Sequence, residues 1–114
     1  MTIHIPNKTD SGWHIIFIDG KLINLRPKSF RYFFIMAAQR LIDDGWVDQD
    51  ELEVSLNVPK HVYRLRKELR DQGVPNIIES GRYKYRLCDA EITIEAEKFE
   101  DYADFDIRYL AGKL

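Results

Sequence analysis

The stretch Asp48-Gln-Asp-Glu-Leu-Glu-Val-Ser-Leu-Asn57-Val-Pro-Lys60-His-Val-Tyr-Arg-Leu65-Arg-Lys-Glu-Leu-Arg70-Asp-Gln-Gly73 decides the fold. Asp48 stands three residues before Glu51, the capping-box spacing with Asp in the cap role. A short helix is expected from about 49 to 56, burying Leu52 and Leu56. Asn57-Val58-Pro59 then turns the chain into a second helix, with Val62, Leu65 and Leu69 on one side and Gly73 closing it. Two short helices joined by a tight turn make a helix-turn-helix. At roughly 100° per residue, burial of that apolar side leaves Lys60, His61, Tyr63, Arg64 and Lys67 facing outward, with Arg66 and Arg70 at the flank.

Upstream, Pro27 suits a first helical position, and Phe30, Phe33, Phe34, Ala37, Ala38 and Leu41 recur at helical spacing. A helix is expected over 28–44, ended by Gly45 and followed by a stub of strand at Trp46-Val47. The phenylalanine stripe reads as core rather than as a ligand cage. Before it, Trp13–Ile18 and Lys21–Leu25 are β-rich runs around Asp19-Gly20, which tolerates the positive φ angles of a type I′ turn. Thr2–Ile5 reads as a further strand stopped by Pro6, and Thr9–Gly12 as a turn. His4 and His14 read as strand residues without chemistry.

Downstream, Asn76–Leu87 reads as a hairpin around a Ser-Gly turn, with Tyr83, Tyr85 and Leu87 alternating with Arg82, Lys84 and Arg86. Glu91–Ile94 is expected to extend that strand. From Glu97 to Leu110 the chain is acidic, with Phe99, Tyr102, Phe105, Tyr109 and Leu110 spaced roughly as one helical face. This expectation is of a docking or dimer helix. The organisation is an N-terminal hairpin platform over 1–26, a core over 27–88, and an acidic extension over 89–114, strand then helix. The fold class is α+β: a winged helix-turn-helix of three helices, with an N-terminal antiparallel strand hairpin and a C-terminal β-hairpin wing.

The chain has 114 residues, 45% hydrophobic and 32% charged, the balance of one soluble folded domain. No apolar run approaches the ~20 residues of a membrane span, and no signal peptide is recognisable. A single cysteine, Cys88, excludes an internal disulfide and a cysteine-based zinc site; it reads as a small core residue in a reducing compartment, the cytoplasm. The net charge of −2 conceals blocks: +5 over 21–40, −6 over 41–59, +5 over 60–88 and −5 over 89–114. What attracts a polyanion is a local basic face rather than the net charge. No phosphate loop, zinc-protease motif or nucleophile elbow is present, and the carboxylates lie in surface-like runs, so no catalysis, metal or cofactor is expected.

Three pieces resemble, in order, the DNA-binding domains of OmpR/PhoB-type regulators. Phe17–Leu25 with Arg26-Pro-Lys-Ser-Phe30 is similar to their entry into the first helix. Val58–Leu69, with Arg64-Leu65-Arg66, is similar to their recognition helix, and Ile77–Leu87, ending Tyr85-Arg86-Leu87, to their wing. Arg26, Ser29 and Lys84 replace the family's threonine, glutamate and glycine. A looser resemblance, Tyr85 to Glu100, is to the junction of SARP-type activators, where this domain runs into a regulatory one. The resemblance implies a sequence-specific transcriptional regulator of double-stranded DNA, with RNA polymerase or a regulatory domain as further partner and a homodimer through the C-terminal tail.

In that reading Arg64 pairs with guanine in the major groove, while Tyr63 touches a thymine methyl or a phosphate. Arg82, Lys84 and Arg86 reach the flanking backbone or minor groove, and Lys28 and Arg31 add backbone contacts. Arg66 either contacts phosphate or ties the helix to an acid of the −6 block. His61 is expected to be exposed; it reads first as a plain surface residue, with tuning of binding near neutral pH as the lesser alternative. The competing class is a winged helix that binds protein and not DNA, motivated by the two acidic blocks.

Overall fold

The computed structural model describes residues 1–114 as an α+β fold with two sheets and four α-helices. The N-terminal sheet holds β1 (Thr2–Ile5), β2 (Thr9–Asp10), β3 (Trp13–Ile18) and β4 (Lys21–Leu25). Asp19 and Gly20 have φ of 50° and 77°, both positive as a type I′ turn requires, and set the register Ile18↔Lys21 through His14↔Leu25. Ser11 and Gly12 repeat the device, at φ of 49° and 85°, between β2 and β3. The expected turn at 9–12 is therefore a small hairpin.

Helix α1 (Pro27–Ile42) crosses this sheet and is the centre of the core: Phe30, Tyr32, Phe33, Phe34, Met36, Ala37 and Ala38 are all buried. Arg26 supplies no side-chain cap. Instead, Glu68 accepts from the Arg26 N–H at 2.9 Å and from the Ser29 hydroxyl, so an acid distant in sequence satisfies the helix start. Gly45, at φ 87°, follows the helix end.

β5 (Val47–Asp48) leads into α2 (Gln49–Leu52), where Glu51 Oε1 accepts from the Asp48 N–H at 3.2 Å. The short helix expected over 49–56 stops four residues early. Leu52 is buried but Leu56 is 100% exposed, because the chain leaves helical geometry at Glu53 and carries Leu56 to the outside of the turn. α3 (Val58–Asp71) buries Val58, Val62, Leu65 and Leu69, and Gly73 follows at φ 84°.

β6 (Ile78–Gly81) and β7 (Lys84–Leu87) form a hairpin that β5 joins, in the order β5-β7-β6. Its turn is Arg82-Tyr83, not Ser80-Gly81, with Tyr83 at φ 58°. Arg82 and Tyr83 are consequently tip residues rather than members of the alternating strand.

The extension departs furthest from expectation. β8 (Glu91–Ile94) does not prolong β7; it pairs in parallel with β1, from Thr2↔Glu91 to Ile5↔Ile94. The acidic segment is a 3₁₀ turn (Ala96–Phe99), a loop, and α4 (Phe105–Ala111), not one helix. Phe99, Ile107 and Ala111 are buried against α1, whereas Phe105 and Tyr109 point outward. The fold thus has four α-helices where three were expected. No helix is long and apolar enough to cross a membrane.

Candidate nucleic-acid interface

Helix α3 carries the densest set of free cations. Lys60, Tyr63, Arg64, Lys67 and Arg70 are exposed, and Lys60, Arg64 and Arg70 enter none of the chain's ion pairs. Lys67 meets Asp71 at 2.8 Å, an exposed i,i+4 pair that a stronger anion can displace. The ridge follows from the sequence. Four aliphatic residues fix one face of the helix inward, and the 3.6-residue period turns the bases outward.

Four of the expected site residues are committed elsewhere. Arg31 donates to both carboxylate oxygens of Asp104 at 2.7 and 2.6 Å, to Asp106 at 2.8 Å and to the Leu52 carbonyl at 2.8 Å. Its side chain is 18% exposed, which removes it from any backbone-contacting set. Arg66 donates to the Ile78 carbonyl at 2.9 Å and to Ser80 Oγ at 2.7 Å. It ties α3 to the hairpin, with no acid of the −6 block involved. Lys28 is ion-paired to Glu53. His61 is not exposed: its side chain is 19% accessible, packed edge-on to Tyr32 and 3.9 Å from Glu53.

The wing cations divide. Ser80 and Tyr85 form one cross-strand pair, and Ser80 is bonded to Arg66 on the α3 side. Strand alternation therefore turns Lys84 and Arg86 to the opposite face of the hairpin. There they lie over the Trp46 ring, at 4.6 and 4.3 Å, and Arg86 pairs with Glu79 at 3.0 Å. The structure brings neither together with Arg64. Arg82 stays exposed at the tip, over Tyr83, whose carbonyl accepts from the Gln49 N–H at 2.9 Å. The sequence reading missed Trp46 as the platform of these cations; its place next to the β5 stub was the available signal.

Glu53 is the hub beneath the start of α3. Its oxygens take Lys28 and the Tyr32 hydroxyl, the latter at 3.1 Å. The Lys28 bond, with Tyr32 and the charge of Lys28 behind it, holds the Glu53 carboxyl below its usual range. Burial, reinforced by the charge of Lys28, lowers the imidazole of His61; burial alone lowers that of His14, which stacks on Phe30 at 4.5 Å.

The signs agree. Each histidine is harder to protonate folded than unfolded, so stability is full above the unfolded value of about 6.5 and falls as pH drops below it. Glu53 adds a second loss below its unfolded value of about 4.5. The thermal midpoint is expected to fall between pH 7 and 5, and His14→Phe and His61→Gln to flatten that limb. Calorimetry in buffers of low ionisation enthalpy checks this, and a midpoint that rises on acidification contradicts it.

Comparison of the chain with protein-family models, curated proteins and solved structures finds no match.

Proposed function

We propose that this chain is a winged helix-turn-helix domain that binds double-stranded DNA as a transcriptional regulator. The observation that carries the reading is α3 itself, a 14-residue helix whose apolar side is fully buried while Lys60, Tyr63, Arg64, Lys67 and Arg70 line the other side without internal neutralisation by a buried acid. An isolated ridge of this width fits the B-DNA major groove. The element order α1-β5-α2-α3-β6-β7, with β5 paired to β7, supports the winged-helix assignment and the similarity to OmpR/PhoB-type domains. Arg64 reads base edges, Lys60, Lys67 and Arg70 neutralise phosphates, and Arg82 at the hairpin tip contacts the flank. Lys84 and Arg86 are at most peripheral.

The competing reading, a protein-binding winged helix, is favoured by the turn between α2 and α3, where Val54 and Leu56 are 89% and 100% exposed. Fluorescence anisotropy on a labelled random duplex pool separates the two. With about four phosphates neutralised, log K is expected to fall against log salt with a slope of about −3.5. Arg64→Ala with Lys67→Ala is expected to abolish binding, and Arg64→Ala alone to cost about 1–3 kcal/mol and to relax base preference at a selected site. A folded protein with no affinity at low salt assigns the module to protein partners.

A further inference from the structure

The two edges of the N-terminal sheet are treated differently. Along β4, the Asn24 N–H donates to Gln72 Oε1 at 2.8 Å, and its carbonyl accepts from Gln72 Nε2 at 2.8 Å. The next outward amide, Arg26, donates to Glu68 Oε1 at 2.9 Å. Glu68 of α3 and Gln72 just past its end stand in for a neighbouring strand there. β8 has no such cover. Glu91 and Glu95 donate their N–H groups to the Met1 and Ile5 carbonyls at 3.0 and 3.1 Å. Odd-numbered residues therefore bond to β1, and Ile92 and Ile94 turn their amides and carbonyls to the open edge. Beside that edge runs a largely apolar groove lined by Leu41, Ile42, Ile92, Ile94 and Leu114, with Thr93 and Lys113 as its polar members. Leu41, Ile42 and Leu114 are 45%, 40% and 44% exposed. An uncovered edge flanked by exposed aliphatic side chains is a template for strand addition.

We infer that the open edge of β8 is a two-fold interface on which a second copy of this chain pairs its own β8, antiparallel and centred on Thr93. Glu91-Ile92-Thr93-Ile94-Glu95 reads the same in both directions. Pairing about Thr93 sets Ile92 opposite the second copy's Ile94, and Thr93 opposite itself. The residues whose backbone groups face outward are those that become hydrogen-bonded pairs. A shift by two residues either way would exchange an Ile–Ile pair for one with Ala90 or Ala96. The aliphatic groove continues across the axis, as an isologous contact requires. Charge works against the pair at its two ends: Glu91 stands opposite the second copy's Glu95, a like-charge contact that Lys98, 2.8 Å from Glu95 on the same chain, offsets in part.

So short a strand pair buries less than the ~1,200 Å² of a standard stable interface, which places the dimer at weak affinity, on the order of 10–100 µM. If α3 reads DNA as proposed, the axis makes the operator an inverted repeat; the test below contains no DNA, so its failure and the failure of that reading are distinguishable.

Sedimentation equilibrium of the full chain from 5 to 500 µM, with amide exchange followed by NMR over the same range, tests the interface. A monomer–dimer equilibrium is expected, with protection of the Ile92 and Ile94 amides rising about three- to sevenfold over this range as the monomer fraction falls. Ile94→Pro removes a donor that β1 does not use, and Ile42→Lys places charge in the groove; both are expected to be monomers at 500 µM with unchanged far-UV circular dichroism. A wild-type monomer at 500 µM, a dimer that survives Ile42→Lys, or concentration-independent exchange at Ile92 and Ile94 would each overturn the inference. If Ile94→Pro unfolds, Ile42→Lys and the wild-type exchange data decide the matter alone.

Discussion

Ending the chain after Asp89 is expected to abolish the cooperative thermal transition. Phe99 is fully buried, with its ring 4.8 Å from Phe34 and 6.3 Å from Phe30, and Tyr102 closes the same cluster at 5.3 Å from Phe99. Truncation also removes the ordering cost of the deleted residues, so their own burial is not the relevant quantity. What matters is what remains. Phe30 and Phe34 would face water at about 2–3 kcal/mol each, and β1 would lose its parallel partner. That loss is comparable with the ~5–15 kcal/mol that holds a domain of this size together.

Phe99→Ala is the milder form of the same experiment. It keeps the backbone and opens a cavity at a cost of about 3–5 kcal/mol, a fall of roughly 12–20 °C in midpoint. Differential scanning calorimetry reads both. A truncated chain melting cooperatively within a few degrees of the full one would show that residues 1–89 are self-sufficient and that the acidic segment is an appendage.

Local chemistry made much of this fold legible. Asp19-Gly20 sets a turn by φ alone, Pro27 and Gly73 punctuate helices through their own backbone limits, and Val62, Leu65 and Leu69 orient α3 through a period of 3.6. The misreadings share a physical origin. The pairing of β8 with β1 joins residues about ninety positions apart, and nothing in Glu91–Ile94 distinguishes the sheet it joins. Leu56 obeys the helical period, but a helix of one turn held by packing ends where the packing ends. His61 occupies an outward position on α3, yet Tyr32 and Glu53 come up from α1 and the α2 end to cover it. The basic wing was read as one surface because alternation is local, while the face that meets α3 is decided by Arg66 and Ser80.

Arg31→Ala is expected to cost stability and leave DNA affinity intact, the reverse of Arg64→Ala. Both are arginines of basic blocks, and sequence gives no reason to separate them. Arg31 has been captured: its guanidinium forks onto Asp104, reaches Asp106, and holds the Leu52 carbonyl, joining α1, the α2 end and the start of α4. Asp104 in turn caps α4, accepting from the Asp106 and Ile107 N–H groups. Removing the guanidinium leaves two acids together at a helix start without their counter-charge. Asp104 is partly and Asp106 more fully solvated, so the cost falls below that of a wholly buried pair, at about 2–3 kcal/mol. Arg31→Lys keeps the charge but cannot reproduce four planar bonds, and is expected to lose about 1–2 kcal/mol. Urea denaturation should show both losses, with amide protection collapsing first over Phe105–Ala111. In anisotropy well below its melting point, Arg31→Ala should match the wild type in affinity and salt slope, whereas Arg64→Ala melts as the wild type and binds worse. Should Arg31→Ala instead melt normally and reduce the salt slope by about one, the tail would have to release Arg31 on DNA, and the clamp would be a switch rather than a staple.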